Sequence, residues 1–193
     1  LRNAKLYDEI EKTKNALLEK DRVISEDLMM AKRIQNNVIS DSYKTIGELD
    51  FFVHYQPQFE VGGDIYDIFQ LKEGVIRIFI ADATGHGVQA ALTTMIIKTE
   101  YEKVKIFELS VNHILKTLNR AFLNQYANLT VFFSGILLDI DLNQMKLYYS
   151  SAGHPVQYLI RGKELVELKA GGKLIGLFDS FEYDDFCNEK SYS

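Results

Sequence analysis

The stretch VIRIFIADATGHGVQAAL, residues 75–92, joins a strand pattern to a helix pattern through a glycine-lined turn. The β-branched and aromatic residues before Asp82 predict a strand, and the apolar residues after Gly87 recur at helical spacing. Asp82 ends the strand and is followed at once by the small residues of the turn. We therefore expect a carboxylate at the rim of a sheet, where it can face a ligand.

The rest of the chain from residue 41 onward continues with strands, two consecutive helices and further strands. Strands are expected at residues 49–57, 64–72, 75–82, 130–140, 145–152, 156–161 and 164–169, and helices at 88–96 and 111–122. Ser110 is a plausible N-cap for the second helix. This order predicts an α+β fold with mostly antiparallel sheets, because strand and helix do not alternate as a dinucleotide-binding fold requires.

Residues 1–40 have a different pattern, with no Gly or Pro and many Lys and Glu residues. Ile10, Leu17, Ile24, Ala31 and Val38 recur every seven residues, which is typical of a helix packed on a parallel partner. We expect a signalling helix at 1–40 that forms a homodimer, followed by one globular domain at 41–193. The alternative is an amphipathic helix lying on its own domain.

Composition excludes several classes of protein. The chain has 193 residues and a net charge of −5, which argues against nucleic acid or an anionic membrane surface as a partner. Its single cysteine, Cys187, excludes an internal disulfide framework. No apolar run approaches the roughly 20 residues of a membrane span. We therefore expect a cytoplasmic location and no membrane insertion.

Two acidic stretches are candidates for chemistry. Gly62 and Gly63 precede Asp64, and the double glycine permits a tight backbone path that presents this carboxylate to a site. Asp82 is the second candidate, and carboxylates at neighbouring strand ends are the hard oxygen ligands that Mg²⁺ and Mn²⁺ prefer. The alternative is that both stretches are ordinary turns. Asp67 is a third possible ligand, or it caps the start of a strand.

Other polar residues have simpler explanations beside the functional ones. His86 is a candidate acid or phosphate contact, but a histidine between two glycines can equally hold the turn by bonding the backbone. Asp141 fits an Asx turn in the DLNQ hairpin, which Asp139 flanks on its other side. Asp184 and Asp185 are typical of a solvated acidic patch.

Several short motifs follow one another in an order that resembles a known family. AKRIQNNVI, VGGDIYD, IADATGHGVQAAL, LN at 118–119, SSAGHPVQYL and KLIGL are similar to stretches of the SpoIIE/RsbU-type bacterial phosphatases, which belong to the metal-dependent PPM serine/threonine phosphatases. The resemblance runs over about residues 31–177. It implies an αββα sandwich with a two-metal site between its sheets.

By the same resemblance, Asp64 and Asp82 are catalytic metal ligands, and the Ala83 carbonyl is a further ligand for Mn²⁺ or Mg²⁺. The implied reaction is hydrolysis of a phosphoserine or phosphothreonine by metal-activated water. The implied substrate is a phosphorylated regulatory protein of the anti-anti-sigma type. The opening LRNAKLYDEIEK resembles the exit helix of a GAF-like sensor, which implies such a domain upstream in the same chain.

The sequence departs from the family in one motif. Family members continue into a Thr-Asp-Gly stretch whose aspartate completes the metal site, and no Asp-Gly follows Gly87 here. We therefore expect a C-terminally incomplete phosphatase domain that holds one ion or none, either truncated or degenerate. Two alternative functions stay open, a catalytically inactive pseudophosphatase that binds a partner and a purely structural dimerisation unit.

Overall fold

The computed structural model describes residues 2–39, 43–169, 171–178 and 188–191, which fall into two units, Leu1–Val38 and Ile39–Ser193. The helices are α1 (Arg2–Val38), α2 (Gly87–Val104), α3 (Val111–Gln125) and a short 3₁₀ turn (Ala127–Leu129). The strands are β1 (Tyr43–Ile46), β2 (Leu49–Phe52), β3 (Asp64–Lys72), β4 (Val75–Ala83), β5 (Phe133–Asp141), β6 (Lys146–Ala152), β7 (Gln157–Arg161), β8 (Glu164–Leu168) and β9 (Asn188–Ser191).

The first unit is α1 alone, a helix of 37 residues and therefore about 55 Å long. Its predicted seven-residue stripe is open to solvent, with Ile10, Leu17 and Ile24 between 56% and 61% exposed. Salt bridges between neighbouring turns, such as Lys12 with Asp8 at 2.7 Å, lie on its surface. No described helix carries an apolar run of membrane-spanning length.

The second unit is built on a five-stranded antiparallel sheet in the order β3-β4-β5-β6-β9. Two separate antiparallel hairpins, β1-β2 and β7-β8, accompany it. The β3-β4 hairpin turns at Gly74, whose φ of +73° is a conformation that only glycine adopts at no steric cost.

Helices α2 and α3 cover one face of the five-stranded sheet. The core between them contains the odd-numbered residues Phe79, Ala81 and Leu137, which the two-residue period of a strand turns towards the helices. Tyr101 of α2 stacks on Phe79, with the ring centroids 4.3 Å apart. Ser110 caps α3 as expected, because its Oγ accepts a hydrogen bond from the His113 backbone N–H at 3.3 Å.

The two hairpins cover the opposite face. Ile68 and Ile76 pack with Ile46 from the first hairpin, and Ile136 packs with Leu168 from the second. The predicted α+β fold with antiparallel sheets is thus confirmed. In the part of the chain that the structure describes, the second sheet of the expected sandwich consists of two separate hairpins.

Two predicted boundaries are wrong. The expected strand at residues 49–57 ends at Phe52, which pairs with Tyr43 at the first residue of β1. The other predicted elements are confirmed to within a few residues, except that α2 extends to Val104, well past the expected end at residue 96.

Candidate metal centre

Three polar residues lie side by side at one end of the central sheet. Asp64 of β3 is the direct partner of Asp82 of β4, and Asp82 is the direct partner of Ser134 of β5. Directly opposite residues in antiparallel strands point to the same face with Cβ atoms about 5 Å apart. Because Ile80 and Ile136, two positions along their strands, pack towards the hairpins, these polar residues also lie on the hairpin face.

Because Gly63 has no side chain, the oxygen atoms at this end of the sheet can lie close together. Its carbonyl oxygen accepts a hydrogen bond from the Ala83 N–H at 2.8 Å. A Cβ at this position would stand 3.1 Å from the Ala83 carbonyl oxygen, 3.3 Å from the Cβ of Ala90 and 3.5 Å from the Oδ1 of Asp82. The Ala83 carbonyl and the Asp82 carboxylate therefore converge on the backbone that presents Asp64.

Asp64 is partly desolvated and carries its negative charge close to that of Asp82. Burial, and next the charge of Asp82, raise the pKa of Asp64 above its usual range. The hydroxyl of Tyr55 donates to the Asp64 carbonyl oxygen at 3.4 Å, and burial together with the Asp64 charge raises the pKa of that tyrosine. A cation between the two aspartates would remove this repulsion.

The donors present fit one hard divalent cation better than two. Two carboxylates and one carbonyl are oxygen ligands of the kind Mg²⁺ and Mn²⁺ prefer, and water readily completes their coordination. Among the described residues, no group of three or more His, Cys, Asp or Glu side chains is placed to hold a metal. Asp184 and Asp185 lie outside the described residues.

The turn after Asp82 depends on two glycines. Gly85 and Gly87 have φ angles of +101° and +65°, which glycine adopts at no steric cost. His86 between them is extended and occupies the N-cap of α2, yet its side chain makes no capping hydrogen bond. Its ring instead lies 5.6 Å from the ring of Phe59. His86 therefore does not hold the turn by a side-chain hydrogen bond that caps the backbone of α2.

Sequence reasoning missed one polar pair at this end of the sheet. The Nδ1 of His154 lies 3.0 Å from the Oγ of Ser134, next to Asp82 in the register. Burial lowers the pKa of His154, and the charge of Asp82 opposes this effect. Nothing in the local pattern of SSAGHPVQYL ties it to strand β4, so only the family resemblance drew attention to this motif.

The remaining acidic candidates have structural partners. Asp67 points towards the helices, where its carboxylate contacts Lys98 at 2.7 Å and Lys105 at 3.2 Å, so it neither joins the metal centre nor caps the strand start. Asp139 pairs with the fully buried Arg77. Asp141 stabilises the predicted turn, since its Oδ1 accepts from the Gln144 N–H at 2.9 Å, although this bond spans three residues and not the two of an Asx turn.

Comparison with known proteins decides the family. The family model described as Stage II sporulation protein E (SpoIIE) matches residues 72–189, more than half of the chain. The chain belongs to the SpoIIE family. The matched range includes Asp82, Ser134 and His154, whereas Asp64 lies just before it.

Two curated SpoIIE-type relatives are similar over most of this chain. The phosphoserine phosphatase RsbP of Bacillus subtilis is 27% identical over 169 residues, which cover 81% of this chain and 40% of RsbP. The phosphoserine phosphatase RsbU of the same organism is 26% identical over 165 residues, which cover 84% of this chain and 49% of RsbU. The chain thus spans less than half the length of these relatives.

A solved structure supports the fold of this SpoIIE-family chain. The SiaA-PP2C domain of Pseudomonas aeruginosa superposes with a TM-score of 0.72 at 23% sequence identity. The superposition covers 90% of this chain and 69% of that domain. At this identity the likeness supports the architecture of helices and antiparallel sheets.

Proposed function

We propose that this SpoIIE-family chain is the catalytic part of a metal-dependent phosphoserine/phosphothreonine protein phosphatase in bacterial signalling. The observation that carries the proposal is the direct pairing of Asp64 with Asp82 beside the Ala83 carbonyl at the glycine-lined end of the sheet. The names of RsbP and RsbU as phosphoserine phosphatases support the same reaction class.

The proposed roles follow from the position of each group. Asp64, Asp82 and the Ala83 carbonyl would hold Mn²⁺ or Mg²⁺. A bound ion of this kind neutralises phosphoryl charge and lowers the pKa of water, which supplies the nucleophile. The two aspartates would orient the ion at the open rim of the sheet, and no side chain would form a covalent bond to phosphorus.

The proposed substrate is a phosphorylated regulatory protein of the anti-anti-sigma type. Support comes from membership in the SpoIIE family and from the exposed position of the site, because both Asp64 and Asp82 reach solvent. A phosphorylated side chain on a folded partner protein can therefore reach the two carboxylates without any opening of the core.

Phosphate release tests the proposal directly. The chain is incubated with Mn²⁺ and a phosphoserine peptide or a phosphorylated regulator, and we expect metal-dependent release that is lost in Asp82→Asn and in Asp64→Asn. Asp50→Asn is the matched control, because this exposed carboxylate lies on the hairpin strand β2 and should not affect turnover. Equal activity of Asp82→Asn and the unaltered chain would refute the proposed site.

A second candidate function is a pseudophosphatase that binds the phosphorylated regulator without hydrolysis. It is favoured by the lack of a third metal-binding side chain beside Asp64 and Asp82 in the described ranges. Calorimetric titration with Mn²⁺ should then give at most one weak site per chain. Saturable binding of the phosphorylated regulator without phosphate release would support this candidate, and rapid release would exclude it.

We also propose that α1 forms a homodimer and couples an upstream GAF-like sensor to the phosphatase. The exposed seven-residue stripe around Leu17 and Ile24 supports it, because solvent-exposed apolar residues at this spacing suit a parallel partner helix. Light scattering should report a dimer that Leu17→Glu/Ile24→Glu converts to a monomer. Asn15→Glu, on the opposite side of the helix, is the control. A monomeric unaltered chain at high micromolar concentration would contradict the dimer.

The cytoplasmic location stays a prediction.

A further inference from the structure

The peptide bond between Ala83 and Thr84 carries one of the three proposed metal ligands. Its carbonyl oxygen belongs to Ala83 and its N–H to Thr84, and in a trans peptide these two groups point in opposite directions. The Thr84 N–H donates to the carbonyl oxygen of Phe132, the residue just before β5, at 3.2 Å. Because β5 and β3 lie on opposite sides of β4, this bond turns the Ala83 carbonyl towards Gly63 and β3.

The Ala83 carbonyl oxygen lies close to Gly63 but accepts no hydrogen bond from it. A Cβ on Gly63 would stand 3.1 Å from this oxygen. The Ala83 N–H donates to the Gly63 carbonyl oxygen at 2.8 Å, and the described backbone contains no bond in the reverse direction. The Ala83 oxygen therefore keeps its lone pairs for a ligand, and its direction depends on what holds the Thr84 N–H.

The side chain of Thr84 bonds to the same acceptor as its backbone. The Oγ1–H donates to the Phe132 carbonyl oxygen at 2.7 Å, so this oxygen accepts from both the hydroxyl and the N–H of Thr84. The N–H bond of 3.2 Å is at the long end of the usual range, whereas the hydroxyl bond has the ordinary length. The hydroxyl thus makes the shorter of the two contacts that join the Ala83–Thr84 peptide to Phe132.

The acceptor is itself held in place by a neighbouring segment. Phe133, which follows Phe132, exchanges both of its backbone hydrogen bonds with Ile175, at 3.1 and 2.9 Å. The next residue, Gly176, donates its N–H to the Oδ1 of Asn119 at 2.8 Å, and Asn119 is only 4% exposed. The LN and KLIGL motifs of the sequence therefore meet here and fix the start of β5, on which Thr84 depends.

We propose that Thr84 is a positioning residue for the Ala83 carbonyl. Its hydroxyl, bonded to the Phe132 carbonyl, holds the Ala83–Thr84 peptide in the orientation that directs the Ala83 oxygen to the cation. The proposal rests on the proposed function, which supplies the cation. Outer partners of this kind orient the groups that ligate a metal, and Thr84 needs no contact with the ion or with the phosphoryl group.

The first test measures Mn²⁺ affinity by calorimetry on the whole chain. Thr84→Val removes the hydroxyl at nearly unchanged shape, and we expect it to weaken binding about 10-fold, the lower end of the range for outer partners of metal ligands. Thr84→Ser restores a hydroxyl and should recover most of the affinity. Thr99→Val is the matched control, because the Thr99 hydroxyl donates to the Met95 carbonyl on the exposed side of α2. A purely structural hydroxyl would lower the urea midpoint of metal-free Thr84→Val and leave its Mn²⁺ affinity unchanged.

The second test observes the peptide itself by NMR. Ala83–Thr84 is the only Ala-Thr step in the sequence, so ¹³C-carbonyl alanine with ¹⁵N-threonine gives one signal from this peptide. We expect this signal to shift as diamagnetic Mg²⁺ is added. Without metal, we expect the residue 84 N–H to exchange with solvent about fivefold faster in Thr84→Val, the factor for one ordinary hydrogen bond. The variant is labelled with ¹⁵N-valine, since the sequence has no other Ala-Val step.

The outcomes separate this proposal from the proposed function. If Asp82→Asn abolishes Mn²⁺ binding while Thr84→Val binds as tightly as the unaltered chain, the role of Thr84 is overturned and the metal centre stands. A Thr84→Ser variant as weak as Thr84→Val would also overturn the role of the hydroxyl. If the unaltered chain binds neither ion, the metal-dependent function is overturned. Equal exchange of the residue 84 N–H in the unaltered chain and in Thr84→Val would overturn the hold on the peptide, whether or not a metal binds.

Discussion

Asp139→Asn should destabilise the chain strongly, because it removes the only charge that balances a buried guanidinium in the described structure. Arg77 is 0% exposed, and its Nε and Nη2 donate to the two carboxylate oxygens of Asp139 at 2.7 Å each. Its remaining N–H groups donate to the carbonyls of Lys105, Phe107 and Leu109 at 3.1, 2.9 and 2.8 Å. Arg77 thus binds the connection between α2 and α3 to the middle of the sheet.

The magnitude follows from the cost of an unbalanced buried charge. Removal of one partner from a buried ion pair typically costs 3–5 kcal/mol, and we expect a loss of about 3–5 kcal/mol for Asp139→Asn. The three carbonyls keep part of the guanidinium satisfied, which argues for the lower half of that range. In the double variant Arg77→Met/Asp139→Leu no charge is left behind, so it should be more stable than Asp139→Asn alone.

Urea unfolding at pH 7, followed by the near-ultraviolet dichroism of the tyrosines, gives the free energy of unfolding of each variant. Arg161→Met is the control, because Arg161 forms an exposed pair with Glu164 at 3.2 Å and should change stability by less than about 1 kcal/mol. A loss of less than about 1 kcal/mol in Asp139→Asn would refute the reasoning.

Three further predictions concern single positions. Burial alone would raise the pKa of Asp67, but hydrogen bonds and charges from two lysines lower it. The stability advantage over Asp67→Asn should therefore be complete above about pH 4, the ordinary pKa of an aspartate in the unfolded chain. Urea midpoints measured at lower pH should show this advantage shrinking. Gly63→Ala should cost about 1–3 kcal/mol by overpacking and weaken Mn²⁺ binding in calorimetry, whereas Gly135→Ala, where a Cβ meets nothing closer than 3.4 Å, should bind Mn²⁺ normally. The Tyr101 hydroxyl is buried with no hydrogen-bond partner among the described residues, so Tyr101→Phe should leave the urea midpoint unchanged or raise it, while Tyr149→Phe, whose hydroxyl accepts from the Lys169 N–H at 3.1 Å, should lose about 1 kcal/mol. Loss of stability in Tyr101→Phe would contradict this distinction.

Secondary structure could be predicted from the sequence wherever one periodicity dominates a segment. The β-branched and aromatic runs of β3 and β4 and the apolar stripe of α3 each belong to one element, so local patterns suffice. The Arg77–Asp139 pair could not be predicted in this way. It joins positions 62 residues apart, and an arginine inside the strand pattern VIRIFI gives no sign of its partner.

The candidate site was predicted in part for the same reason. Asp64 follows a pair of glycines and Asp82 precedes a glycine-rich turn, and each pattern is a local signal for a presented carboxylate. His154 and Ser134 carry no such signal, because their relation to Asp82 depends on the pairing of β5 with β4 and on the loop after β6. Such long-range register becomes visible only in the folded chain.

The alignment of the two aspartates depends on an irregularity that the strand pattern does not reveal. The hairpin pairs Lys72 with Val75, and counting back one residue for one would place Asp64 opposite Ala83. A bulge between Gln70 and Lys72 shifts the register, so that Asp64 lies opposite Asp82 instead. Since Ala83 packs in the core beneath the helices, the unshifted register would turn Asp64 to that apolar face. One extra residue in β3 therefore makes the difference between a buried, unpaired carboxylate and a pair of carboxylates on one face that can share a cation.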